Sequence, residues 1–189
     1  MPCPSLFRYK SDRPEGLLYA DDFVSEDDEG ALIVAIAALP LEPFQFGMYR
    51  GKRRLACFGF KYDYSLRRLT EADPISGWPA SIIDRVESFG GTGTHISQVL
   101  CTEYEMGTGI GWHRDKPQFE HIFGVSLASQ CKLRFRRSSG AKWRRFTIGA
   151  RRRSIYVMAG PSRTDWEHSI PAVENLAGGR WQSVSAAPK

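Results

Sequence analysis

The chain has 189 residues, 42% of them hydrophobic, and a formal net charge of +5. That length buries one proper core and is short for two, so one domain over residues 1–189 is expected. The longest apolar run, Ala31 to Pro40, falls short of the ~20 residues that cross a bilayer, and MPCPSLFRYK lacks the basic and apolar regions of a signal peptide, which points to a cytoplasmic protein with no membrane partner.

Cys3, Cys57, Cys101 and Cys131 form no CxxC pair and match neither a zinc ribbon nor a dense disulfide framework, in keeping with a reducing compartment. The charge is unevenly spread. Between Lys132 and Arg153 lie ten lysines and arginines and no acid. A one-sign cluster repels itself and attracts phosphate, so it favours a nucleic-acid partner over a plainly solvated face.

In chain order, SEDDEGALIVAIAALP opens with Ser25, places acids in its first turn and ends at a proline, which predicts an amphipathic helix lying on a sheet. FQFGMYR and RLACFGFKYDYS read as strands around a turn at RGKR, with aromatic residues at alternate places. GWPASIIDRVESFG reads as a second helix, with Pro79 in its first turn and Gly90 closing it. Beyond it, THISQVLCTEY, EHIFGVSLAS, CKLRFRR, KWRRFTIG, RSIYVMAG and RWQSVSA are short β-branched and aromatic segments separated by turn residues. Two helices followed by antiparallel strands predict an α+β, mainly β fold: a double-sheet jelly roll (double-stranded β-helix) with the N-terminal helices packed on one sheet.

GIGWHRDKPQFEH, residues 109–121, poses the chemical question. His113 and Asp115 are two apart, so on an extended strand both leave the same face and can converge on one ion. Alone, such a pair is also compatible with a surface His and Asp at a strand end. His168 follows several strands later, and two imidazoles with one carboxylate leave open positions on a non-haem Fe(II) centre. His95 and His121 read as strand or packing histidines instead.

These stretches resemble the AlkB-type Fe(II)/2-oxoglutarate dioxygenases from about Arg54 to Trp181. CTEYEMGTGIGWHRD is similar to the family's N-x-Y, glycine turn, H-x-D strand, IFGVSLASQCKLRFRR to its I-x-SLG strand and the basic strand after it, and RSIYVMAGPSRTDWEHSIP to the stretch supplying the distal histidine. RLACFGFKYDYS and WPASI look like the nucleotide-lid segment and the helix after it. The resemblance implies residues 1–90 as helices and lid, and 91–189 as the jelly-roll core. It implies Fe(II) held by His113, Asp115 and His168, with 2-oxoglutarate and dioxygen as co-substrates. Oxidative decarboxylation to succinate would accompany hydroxylation of a carbon attached to nitrogen, releasing an N-methyl group of a base as formaldehyde. Tyr104 is expected to hydrogen-bond 2-oxoglutarate, and Thr102, in the place of the family's asparagine, could donate a shorter-reaching bond; for both, an inward-facing core position is the plain alternative.

The family's last strand carries two arginines six residues apart, both facing inward to grip 2-oxoglutarate. Here Arg180 fills the first place and Ala186 stands at the second. Laying SVS on the family's small polar positions puts Trp181 at the first place instead, a slip that would reverse the face. Arg180 is taken as the anchor, with Arg163 in reserve.

Phe58, Phe60, Tyr62 and Tyr64 alternate and could stack on a base taken out of its duplex, or simply pack. Tyr62, Tyr64, Arg54, Trp112 and Lys116 are the expected substrate contacts; Trp112 could equally pack against a helix, and Lys116 could be solvated. The function expected is dealkylation of N-alkylated bases in DNA or RNA, the partner of a monomeric enzyme. A protein or metabolite demethylase would use the same iron chemistry. A non-catalytic nucleic-acid-binding module with a degenerate 2-oxoglutarate site, motivated by Ala186, and a zinc hydrolase using the same three ligands are the other readings.

Overall fold

The computed structural model describes residues 13–46, 48–63, 66–75, 80–172 and 180–188. In chain order these form β1 (Leu17–Ala20), α1 (Glu26–Ala37), β2 (Glu42–Phe46), β3 (Tyr49–Phe58), β4 (Phe60–Asp63), β5 (Arg68–Glu71), α2 (Ala80–Gly90) and β6 (Gln98–Tyr104). There follow β7 (Ile110–His113), β8 (Phe119–Leu127), β9 (Cys131–Ser139), β10 (Lys142–Ala150), β11 (Ile155–Met158), a single turn α3 (Pro161–Thr164), β12 (Glu167–Ile170) and β13 (Arg180–Pro188). The strands build a seven-stranded sheet in the order β1-β11-β8-β13-β6-β3-β2 and a four-stranded sheet in the order β10-β9-β12-β7, with β4 and β5 paired by themselves.

Side-chain alternation builds the layers. Along β9, Cys131, Leu133 and Phe135 enter a core shared with Tyr104, Tyr156 and Met158 of the larger sheet, which fills the space between the sheets. Along β6, Val99 and Cys101 turn the other way and meet Leu32 and Ile36 of α1 and Val86 of α2. Each such fully buried aliphatic side chain stabilises the fold by roughly 1.5–3 kcal/mol relative to exposure. The chain therefore adopts the expected jelly roll with helices against one sheet.

α1 begins as its sequence dictates: the Ser25 side chain accepts a hydrogen bond from the Asp28 amide at 3.1 Å, and acids fill the first turn. Its Glu29 is fully buried. That carboxylate accepts from Arg152 Nε at 2.5 Å and from the Ala128 amide at 2.8 Å, tying α1 to the turns beyond β8 and β10. The second helix spans Ala80–Gly90; Pro79 lies outside the described residues.

RGKR is not a turn. Phe46 opposes Tyr49 and Gln45 opposes Arg50, so the reversal comes earlier and RGKR runs inside β3. A cationic stretch tolerates a strand here because alternate side chains leave the sheet, and Arg54 finds Glu103 across the strand pair, with Nε to Oε2 at 2.6 Å. The aromatic series beyond it does not run as one strand. Gly59 breaks it with φ +76°, and a Cβ there would lie 2.1 Å from the Ser97 carbonyl oxygen. Phe58 accordingly packs on the helix side, while Phe60 and Tyr62 leave on the β4–β5 hairpin. The edge strand β1 and the short strands β5 and β12 go beyond the elements expected. No helix among the described residues is long and apolar enough to cross a membrane.

Candidate metal centre

β7 and β12 are neighbours in the smaller sheet, and His113 opposes His168 in their register. Cross-strand partners project from the same face, so the two imidazoles meet with ring centroids 4.2 Å apart. The register shifts between His168 and Ile170, a local irregularity of the kind that re-aims a side chain near a site.

Asp115 joins them differently from the expectation of a common strand face, because β7 ends at His113 and Asp115 sits in the following loop. That loop is pinned on both sides of Asp115. Arg114 Nη2 donates to the Asp165 carbonyl oxygen at 3.3 Å, and the buried Arg163 donates to the Lys116 carbonyl oxygen. Asp115 Oδ2 then lies 3.5 Å from His168 Nε2, and Oδ1 lies 3.9 Å from His113 Nε2. One ligand atom from each residue falls within 4.8 Å of the others.

The donor set fits a divalent cation. His113 Nδ1 meets the Gly111 carbonyl oxygen at 2.8 Å, an arrangement in which Nδ1 carries the proton and Nε2 keeps its lone pair. Burial pushes the His168 imidazole down to about 4, against the pull of the nearby Asp115, so this ring is neutral at physiological pH. Asp115 Oδ2 is buried with no hydrogen-bond donor. A buried carboxylate oxygen without a donor, facing two imidazole nitrogens, is the pattern that a cation completes. Two nitrogens and one carboxylate suit non-haem Fe(II) and leave coordination positions for co-substrates.

The remaining candidate residues distribute themselves around this centre. Tyr104 and Thr102 are both buried on β6, and Tyr104 belongs to the core between the sheets that also holds Phe135, whose ring is 6.4 Å from that of His168. Arg180 begins β13 and opposes Tyr104, while Trp181 opposes Glu103. The register thus assigns Arg180, not Trp181, to the face that Tyr104 occupies, and puts Ala186 opposite Gln98 on that same face. Arg163 is occupied with the Lys116 carbonyl, and its Nε is buried without a partner.

Tyr62 lies beneath Lys116, whose Nζ is 4.2 Å from the ring centroid, so hairpin β4–β5 reaches the ligand loop. The hairpin is anchored at its base, where Gln98 Nε2 donates to the Phe60 carbonyl oxygen at 2.6 Å, and its Leu69 packs against the inter-sheet core. Tyr64 lies outside the described residues. Arg54, an expected substrate contact, instead pairs with Glu103 across the interior strands β3 and β6, on the face of the larger sheet opposite to Tyr104. Trp112 stacks on Arg134 and Arg136, at 5.1 and 4.5 Å. His95 is an exposed neighbour of Glu87, and His121 lies beside Phe123. Sequence reasoning gave Arg163 no part in holding the ligand loop; its only signal was its place shortly before the distal histidine.

Comparison with known proteins agrees with this arrangement. The family described as the 2OG-Fe(II) oxygenase superfamily matches residues 41–185. An Arabidopsis thaliana protein named "Alkylated DNA repair protein ALKBH8 homolog" is 28% identical over 181 residues, covering 82% of this chain and 51% of its own length. The Mus musculus "tRNA (carboxymethyluridine(34)-5-O)-methyltransferase ALKBH8" is 28% identical over 166 residues, covering 83% of this chain and 24% of its own. The chain thus spans about half or less of these relatives. Among solved structures, that of OsALKBH1 superposes with TM-score 0.70 at 16% identity over 93% of this chain and 97% of that one. A prolyl-4-hydroxylase from Pseudomonas putida superposes with TM-score 0.61 at 11% identity, over 92% and 93% of the two chains. With its fold, its two histidines and one aspartate, and a match across most of its length, the chain belongs to the 2OG-Fe(II) oxygenase superfamily, whose chemistry uses Fe(II), 2-oxoglutarate and dioxygen.

Proposed function

We propose that the chain removes alkyl groups oxidatively from the nitrogens of nucleic-acid bases, in DNA or RNA. The observation that carries this reading is the juxtaposition of the His113, Asp115 and His168 cluster with hairpin β4–β5, which meets the ligand loop through Tyr62 and Lys116. The basic stretch from Lys132 to Arg153 supplies the complementary charge for a phosphate backbone. Relatives named for alkylated-DNA repair and for a tRNA uridine support the same substrate class.

When bound, iron with 2-oxoglutarate and dioxygen supplies an oxidant that hydroxylates the carbon next to nitrogen, after which the product releases aldehyde and the free base. The protein's own part is placement. His113 is oriented by the Gly111 carbonyl, and Asp115 by a loop held at Arg114 and Lys116. Tyr104, Thr102 and Arg180 are the proposed co-substrate contacts on the inner face of the larger sheet. Tyr62 and Lys116 are the proposed contacts to the nucleic acid. A base must leave its stack to reach ligands set between two sheets, which makes single-stranded or flipped bases the natural substrate.

Ala186 favours a second reading, a nucleic-acid-binding module whose 2-oxoglutarate site has decayed, because the sequence has alanine, in register with Gln98, six residues after Arg180 where the AlkB-type pattern has its second arginine. One assay separates the two. Fe(II) and 2-oxoglutarate are added to the anaerobic protein and the visible charge-transfer band is sought; oxygen and a methylated oligonucleotide follow, with succinate and formaldehyde measured. The band and both products are expected. No band at excess 2-oxoglutarate, with oligonucleotide binding intact in His113→Ala, would replace dealkylation with the binding module.

A further inference from the structure

The smaller sheet has a second face, and its chemistry is unlike that of the first. Leu133 and Phe135 point into the core, so the residues between and after them, Arg134 and Arg136, point outward. Arg136 carries an indole on each side, with its guanidinium carbon 4.5 Å from the Trp112 ring centroid and 4.4 Å from that of Trp143. Glu167 accepts from its Nε at 2.6 Å, which fixes the plane of the guanidinium. Arg134 lies over Trp112 at 5.1 Å, and Arg145 stands directly opposite Arg136 in the β9–β10 register. Helices α1 and α2 lie against the other sheet, and on this face the Trp143 side of the stack remains 44% exposed.

A face of this kind is costly unless something covers it. Arginines placed directly across a strand pair repel one another, and an indole on an open sheet face leaves apolar area in water. Flat π-surfaces in a fixed row among cations are complementary to a single-stranded nucleic acid, whose bases stack on the rings while its phosphates meet the guanidinium groups. An acidic peptide would satisfy the charges and leave the indoles unused. The location is also suited to a strand serving the metal centre. Trp112 immediately precedes His113 on β7, the edge strand of this sheet, so a strand leaving the ligand cluster reaches the outer face by passing one strand edge.

We propose that the outer face of the four-stranded sheet, centred on the stack of Trp112, Arg136 and Trp143, is a second binding surface for single-stranded nucleic acid, flanking the nucleotide presented to iron. This takes its polymer from the nucleic-acid reading above but does not require dealkylation. The test uses the full chain and an unmodified single-stranded oligonucleotide, with affinity followed by fluorescence anisotropy across a series of salt concentrations. Trp143→Ala should weaken binding about tenfold, since one base stack is worth ~1–3 kcal/mol. Arg145→Ala should lower the slope of log affinity against log salt by ~0.7, the value for one phosphate on a single strand. Iron-dependent turnover of 2-oxoglutarate without nucleic acid should stay at the wild-type level in both, and Trp143→Phe should retain most of the affinity.

Wild-type affinity and slope in both variants would overturn the proposal. So would displacement of the oligonucleotide by poly-glutamate as readily as by a second unmodified oligonucleotide, which would reduce the face to a general anion surface. A protein that fails to release formaldehyde from methylated strands, yet loses affinity on Trp143→Ala, would sink the dealkylation reading and leave this surface standing. A protein that dealkylates normally with Trp143→Ala binding at full strength would do the reverse.

Discussion

Arg180 and Tyr104 face one another across the antiparallel pair of β13 and β6. In that register Arg180 is the partner of the buried tyrosine, and Trp181, one place on, is the partner of Glu103. If Arg180 holds the distal carboxylate of 2-oxoglutarate, Arg180→Ala removes a charge-assisted hydrogen bond worth ~1.5–3 kcal/mol. The KM for 2-oxoglutarate should then rise about 10- to 100-fold with a smaller effect on kcat. Trp181→Phe should leave KM unchanged. Steady-state succinate formation over a range of 2-oxoglutarate concentrations measures both, and an unchanged KM in Arg180→Ala would assign the anchor elsewhere.

Arg163 acts on the metal centre without reaching it. Its guanidinium holds the Lys116 carbonyl, one residue beyond Asp115, from the buried turn α3. Arg163→Ala should free the loop and lower Fe(II) affinity by about 10- to 100-fold, the usual effect of losing a group that orients a ligand. Arg163→Lys, which keeps a cation but not the planar fork, should recover part of it. Anaerobic metal titration gives the affinities, while far-UV circular dichroism of Arg163→Ala separates a loosened loop from a failed fold.

Part of this was written plainly in the sequence and part was not. The H-x-D pair and the later histidine were legible because metal chemistry restricts residue types. The position of Asp115 was not, since it depends on Arg163 and Asp165, far along the chain, rather than on a strand period that ends at His113. The jelly roll was legible from short β-branched and aromatic segments separated by turn residues, of which CKLRFRR became β9. β5, with the sequence RLTE, has no alternation to detect and exists through its pairing with β4. RGKR looked like a turn because a glycine among three cations suits one, yet β3 gains its identity from β2 on one side and β6 on the other. Trp112 shows the limit of adjacency: its neighbour His113 faces the metal cluster while its own ring stacks on Arg134 and Arg136.

Gly124 and Tyr156 are register partners on β8 and β11, and the Tyr156 ring lies across the glycine. A Cβ at Gly124 would come within 2.1 Å of Tyr156 Cζ. Gly124→Ala should therefore displace the ring and cost ~1–3 kcal/mol, the usual range for overpacking a dense core. Gly149→Ala, on β10 with nothing within 4 Å of its added carbon, should fall within ~0.5 kcal/mol of wild type. Urea unfolding of both variants tests the contrast, and equal destabilisation would show that the Tyr156 ring moves aside without penalty.

The buried His168 gives the metal-free protein an acid limit. Its folded-state pKa is pushed down to about 4, first by burial, while an unperturbed histidine titrates near 6.5. Between those values the unfolded chain binds a proton that the folded chain does not, so stability is full above about pH 6.5 and declines as pH falls towards 4. The shift corresponds to about 3 kcal/mol lost across that window, at 1.36 kcal/mol per unit. Carboxylates titrate in the lower part of the same range, so the informative quantity is the difference between wild type and His168→Asn, which carries no titrating ring. Urea unfolding of the metal-free proteins at pH 7.5, 5.5 and 4.5 should show wild type losing stability more steeply than the variant. Saturating Fe(II) under anaerobic conditions should raise wild-type stability at pH 7.5 and progressively less at lower pH, because protons compete for the same ring nitrogens. Parallel curves for wild type and His168→Asn would mean that His168 is not the group that sets the acid limit.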